Sequence, residues 1–204
     1  MSATRTISVR FISSSTFAIA VTAVVAIVGL NSAAAQEAGN TYKIDNAHSD
    51  VVFGARHVGA GYVYGKFNDL SGEFALGGGE PSFNLTIKTA SLDTGSEKRD
   101  GHLKGPDFFN IRQFPEITFK STAAEQKDDA WHVTGDMTML GTTKQVTVPV
   151  EVLATDAAFR GNTLGAVHAE FTINRSDFGM TWGVDKGIVS DEIKLIVSLE
   201  GPMQ

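Results

Sequence analysis

His48, His57, His102, His132 and His168 are the first residues to test for acid–base or metal chemistry. A metal site on one element would show ligands two or four residues apart, and the closest pair, His48 and His57, is nine apart. An odd separation puts two residues of an unbroken strand on opposite faces, so no metal site is expected. His132 and His168 fall on wet strand positions. His57 shares a face with Val51, Phe53 and Ala55, and is expected to point inward. Nucleophilic catalysis has no better footing. There is no cysteine and no Gly-x-Ser-x-Gly elbow, and Asp100 and His102 would diverge by about 200° on a helix. Their expected role is capping and a salt link with Arg99 or Lys104. Gly77-Gly78-Gly79 runs into Glu80-Pro81 rather than a helix, which makes it a turn and not a phosphate cradle. No catalytic residue is assigned.

The aromatic residues carry more information. Thirteen Phe stand against 3 Tyr and 2 Trp. Phe53, Phe67, Phe74, Phe83, Phe119, Phe171 and Phe178 are expected to project into one interior with Leu85, Met137 and Met139. Ordinary core packing gives the same pattern. A small barrel, however, lies at the border between an interior filled by side chains and one holding a ligand.

The elements that position these residues read as strands from Thr41 onward. Phe83, Leu85 and Ile87 alternate with Asn84, Thr86 and Lys88. Val146, Val148, Val150 and Val152 alternate with Gln145, Thr147, Pro149 and Glu151. Val167 to Ile173 and Ile193 to Leu199 repeat the period of two, which gives each strand one dry face. Short turns such as Lys127-Asp128-Asp129 and Gly141-Thr142-Thr143 suit antiparallel hairpins. Roughly eight or more strands follow, arranged as a barrel that protects its own edges. Pro149 predicts a bulge, or a nitrogen facing away from any partner. The period fails from Ser96 to Leu103, where a short helix with Ser96 as N-cap is expected, and Pro106-Asp107-Phe108-Phe109 is expected to start another turn of helix. Together they predict a plug over one end of the barrel.

Composition narrows the function classes. The chain has 204 residues and a net charge of −6. Residues 1–35 read as a secretory signal peptide: Arg5 and Arg10, an apolar stretch from Phe17 to Leu30, then Ala33-Ala34-Ala35, with cleavage after Ala35 and export across the inner membrane. Residues 36–204 then form one domain. An acidic exported domain is a poor partner for nucleic acid.

The order of motifs resembles the YceI-like, polyisoprenoid-binding periplasmic proteins from Tyr42 to Glu200. The resemblance rests on Tyr42-Lys43-Ile44-Asp45, His48-Ser49-x-Val51-x-Phe53, Gly65-Lys66-Phe67, Arg99-Asp100-x-His102-Leu103 and Asp107-Phe108-Phe109. It continues through Phe114-Pro115-Glu116-Ile117-Thr118-Phe119, Gly135-x-Met137-x-Met139-x-Gly141-Thr142-Thr143-Lys144 and Ile173-Asn174-Arg175-Ser176-Asp177-Phe178-Gly179-Met180. It implies an all-β, extended lipocalin-like antiparallel barrel with a short helical plug, whose pore holds a long isoprenoid, quinone or similar amphiphile without a covalent cofactor. Phe53, His57, Phe67, Phe108, Phe109, Phe119 and Phe178 would line or close the pore, and Arg175 with Asp177 would brace the turn before the last strand. Gly101 and the Gly59-Ala60-Gly61 turn depart from the expected pattern.

A diphosphate headgroup would need local cations, and Lys98, Arg99, Lys104 and Arg112 are nearest in sequence. Expected partners are the lipid, a quinone-linked protein of the inner membrane in transient contact, and a second copy in a homodimer. Two other functions stay open at this point. One is a solidly packed stress-response or structural module, and the other is an enzyme acting on the bound lipid through His57 or His102.

Overall fold

The period-two segments become eleven antiparallel strands in a computed structural model that describes residues 39–204. The expected leader lies outside the described residues. In chain order the strands are β1 (Asn40–Lys43), β2 (Asp50–His57), β3 (Gly61–Phe67), β4 (Leu70–Leu76), β5 (Ser82–Lys88), β6 (Leu92–Asp93), β7 (Glu116–Lys127), β8 (Ala130–Met139), β9 (Thr142–Phe159), β10 (Asn162–Asn174) and β11 (Val189–Pro202). Helix α1 (Glu97–Leu103) lies between β6 and β7.

Their spatial order is β1-β4-β5-β7-β8-β9-β10-β11-β2-β3-β6. The sheet curls on itself. Beyond its ladder with β2, the end of β11 reaches β1: Tyr42 bridges Met203, Asp45 N–H donates to Glu200 O (2.8 Å), and Gln204 N–H donates to Thr41 O (2.9 Å). The seam is therefore sewn by a few main-chain bonds rather than a full ladder.

Alternation sets which side of each strand is dry. Phe83, Leu85 and Ile87 are buried on β5, Val148 and Val150 on β9, and Leu195 and Leu199 on β11. Long strands need tight turns to stay in register. Three two-residue hairpin loops join β7 to β10, and both central residues of each have positive φ: Asp128 and Asp129, Leu140 and Gly141, Arg160 and Gly161. This left-handed geometry matches the twist of the strands it connects. Pro149 lies opposite His132 without a register shift, so the bulge is absent there. The β10 ladder reaches only to Glu151, which leaves no strand on the other side of Pro149 awaiting its missing N–H.

Strand glycines make room for rings. A Cβ on Gly135 would sit 2.5 Å from Phe119, and one on Gly165 would sit 2.7 Å from Tyr42. Phe53 covers Gly65 in the same way. Each ring occupies the space that a side chain on the glycine would take, which lets large aromatics pack inside a narrow barrel.

The plug forms with different chemistry from that expected. Ser96 precedes α1 but makes no side-chain cap bond. Asp100 instead accepts from Thr94 N–H (3.0 Å) and from the Thr94 hydroxyl. Arg99 donates to Thr94 Oγ1 (2.7 Å) and Thr94 O (2.6 Å) rather than pairing with Asp100. After α1 the chain runs through tight turns, not a second helix: Phe108 N–H donates to Gly105 O and Phe109 N–H to Leu103 O. Pro106 is the second residue of the Gly105–Phe108 turn, where no N–H is called for, so its missing N–H is still harmless.

Candidate functional site

Between plug and barrel wall lies a cavity of about 160 Å³. Its exposed wall is carbon throughout. The dry faces of the strands supply it: Val51 and Phe53 from β2, Phe83, Leu85 and Ile87 from β5, Ile117 and Phe119 from β7, Val133, Met137 and Met139 from β8, Val146, Val148 and Val150 from β9, Val167, Ala169 and Phe171 from β10, and Ile193, Leu195, Val197 and Leu199 from β11. Phe67 of β3 joins them, and the plug contributes Leu103, Phe108 and Phe109. Phe53, Phe67 and Phe109 form one cluster, with ring centroids 5.5 to 6.5 Å apart.

Ten of the expected pore residues thus lie in the wall: Phe53, Phe67, Phe83, Leu85, Phe108, Phe109, Phe119, Met137, Met139 and Phe171. Three do not. His57 is exposed, as is every residue from Arg56 to Tyr62, because the β2–β3 hairpin extends beyond the packed interior and its alternation has no core left to face. Phe74 is 1% exposed but lies beside the wall rather than in it, stacked in a cross-strand row between Tyr42 (5.3 Å) and Phe83 (6.2 Å). Phe178 is buried in the 3-10 turn after β10, where the strand period has ended.

The proposed headgroup cations are scattered in role. Lys98 and Arg112 are exposed, Lys104 is half-buried, and Arg99 is held by Thr94. Other residues were missed. Leu103, Ala55 and Val189 line the cavity, and so does Arg175, the largest fully buried side chain. Its guanidinium donates to four carbonyls: Nε to Ser190 O (2.8 Å), Nη1 to Met180 O (2.9 Å), and Nη2 to Trp182 O (2.8 Å) and Val189 O (3.0 Å). It therefore ties the loop between β10 and β11. The carboxylate that serves this turn is Asp191, which accepts from Ser176 N–H (2.9 Å) and Oγ–H (2.7 Å), whereas Asp177 is exposed.

The plug meets that loop through three rings. His102 packs edge-on to Trp182 (4.9 Å) and Phe108 (5.0 Å), and Phe108 lies 5.2 Å from Trp182. His102 Nε2 also bonds Asp107 Oδ2 at 3.0 Å. Trp182 had no signal in the alternation, because it sits in a turn. Only Thr118 and Arg175 interrupt the hydrocarbon among the cavity-lining residues. A wall of this kind offers dispersion and burial, with little for proton transfer.

A curled antiparallel barrel with a plugged, carbon-walled cavity inside it is the architecture of the lipocalin-like binding barrels. Residues 42–201 match the model of the YceI-like domain, and the chain belongs to that family. It is 35% identical over 191 residues to a UPF0312 protein of Pectobacterium atrosepticum, covering 91% of this chain and 96% of the relative. Among solved structures, BcnA of Burkholderia cenocepacia matches with a TM-score of 0.68 at 28% identity, over 78% of this chain and 99% of that one. A polyisoprenoid-binding domain from Saccharophagus degradans has the same fold, with a TM-score of 0.64 at 15% identity, over 80% of this chain and 98% of that one.

Proposed function

We propose that this protein is a periplasmic carrier that holds the hydrocarbon part of a long-chain isoprenoid, quinone or similar amphiphile in its barrel, for transport, storage or stress protection. The observation that carries the reading is the hollow, carbon-walled interior. Well-packed cores leave few voids larger than a water molecule. A cavity of about 160 Å³ is roughly ten times the 10–15 Å³ that one water requires. Each methylene buried there is worth about 0.8 kcal/mol, so chain length outweighs any single polar contact. The polyisoprenoid-binding description of the Saccharophagus degradans domain agrees with this reading. Export rests on the leader at residues 1–35, with residues 36–204 as the mature domain.

The test is native mass spectrometry of protein purified from the periplasm, followed by organic extraction. A stoichiometric isoprenoid or quinone, on a chain whose mass begins at Gln36, is the expected result. An empty protein that also refuses added prenyl lipids overturns the proposal.

A further inference from the structure

Arg175 carries a buried charge that no ion pair neutralises. It is 2% exposed, and no carboxylate forms an ion pair with it among the described residues. Asp191 is the nearby acid, and its oxygens are taken by Ser176. Burial pushes the guanidinium below its ordinary pKa, and the field of Asp191 opposes that. Carbonyl dipoles satisfy four hydrogen bonds, yet a buried cation without an anion keeps an unmet electrostatic demand. An arginine has five N–H donors, so one on Nη1 remains unspent.

The side chain covering this group belongs to the plug. The Phe108 ring centre lies 5.8 Å from the guanidinium carbon, and both residues line the cavity. Phe108 is held by His102 and Trp182 rather than by a strand ladder. Its displacement would present the only cation in the cavity wall to whatever occupies the lumen.

Resting on the carrier reading above, we infer that Arg175 is the head-group site of this lumen, selecting amphiphiles that end in an oxyanion and orienting them with the head against the plug. A carboxylate or phosphate monoester supplies the missing charge and accepts the free donor. The solvated cations Lys98 and Arg112 would have no such leverage, because water already satisfies them.

Calorimetric titration of the purified protein with hexadecanoate against hexadecan-1-ol, and with farnesyl phosphate against farnesol, tests this. The oxyanion member of each pair should bind at least tenfold tighter. Arg175→Lys should keep part of the preference, Arg175→Met should lose it, and Phe108→Ala should increase it. Should Arg175→Met fail to fold, the wild-type protein still decides. The carboxyl carbon of bound [1-¹³C]hexadecanoate should titrate below its free value beside Arg175, whereas a carboxyl desolvated without a cation would titrate above it. Equal binding of both members, a preference surviving in folded Arg175→Met, or an upward carboxyl shift overturns the inference and leaves the carrier reading intact. Failure of all four compounds to bind overturns the carrier reading itself.

Discussion

Replacing Ala169 by Leu separates a hollow barrel from a filled one by the sign of a stability change. Ala169 lies on β10 opposite Val197 of β11, is 6% exposed, and contributes its methyl to the cavity wall. Leucine adds three carbons at that point. If they enter empty space, burial contributes about 0.8 kcal/mol for each, or roughly 2.4 kcal/mol, before the rotamer entropy of leucine removes about 0.5–1 kcal/mol. The expected gain is about 1.5 kcal/mol. In a close-packed interior the same carbons would strain their neighbours and cost about 1–3 kcal/mol. Urea unfolding of the delipidated protein reads the difference as a shift of midpoint at constant slope. The absence of cysteine keeps disulfide chemistry out of the experiment. The added carbons also occupy space that a chain would use, so affinity for a C16 ligand should fall about fiftyfold, the equivalent of roughly 2.4 kcal/mol. A variant destabilised by 1 kcal/mol or more would refute the hollow-lumen reasoning.

Three further outcomes follow from the packing and the surface. Gly135→Ala would place a Cβ 2.5 Å from the Phe119 ring and 2.6 Å from Lys120 O, costing about 1–3 kcal/mol in thermal or urea unfolding. Phe74→Ala should cost about 3–5 kcal/mol, yet leave lipid affinity of the folded protein unchanged, since the ring does not line the cavity; titration with a prenyl alcohol checks this. At the surface, the hydrogen bond that the His48 Nδ1–H donates to the Asp45 carboxylate raises the His48 pKa, and the same bond lowers that of Asp45. The contribution of His48 is present below its unfolded pKa and is lost as pH rises through its folded value. That of Asp45 is present above its unfolded pKa and is lost as pH falls through its folded value. Stability from the pair is therefore fullest between about pH 4 and 6.5, and Asp45→Asn should move the His48 imidazole titration downward by NMR.

Much of the barrel was legible because parity is a local property. Val146, Val148, Val150 and Val152 alternate with polar residues, and the strand buries those same positions more deeply. Height along the barrel axis is not local. His57 has the same parity as Phe53 but lies where the hairpin has left the core. Phe74 and Phe83 face each other across β4 and β5, yet only Phe83 reaches the cavity. Arg175 was recognisable as a brace for its turn, but its place in the wall depends on which loop folds over the lumen. The contact of His102 and Phe108 with Trp182 joins segments far apart in sequence, and no short-range pattern announces it.

The seam between β1 and the end of β11 also dictates an order of events. Tyr42 and Met203 meet across it, so nearly every strand emerges in synthesis before its two sides coexist. Hairpins from β7 to β10 can zip as they appear, since their partners are adjacent and their loops short. Closure waits for Glu200, Met203 and Gln204. A nascent chain in which Leu199 to Gln204 have not yet emerged is an open sheet with its apolar face uncovered, vulnerable to pairing with other chains and to holdase capture, until those residues join it into a container.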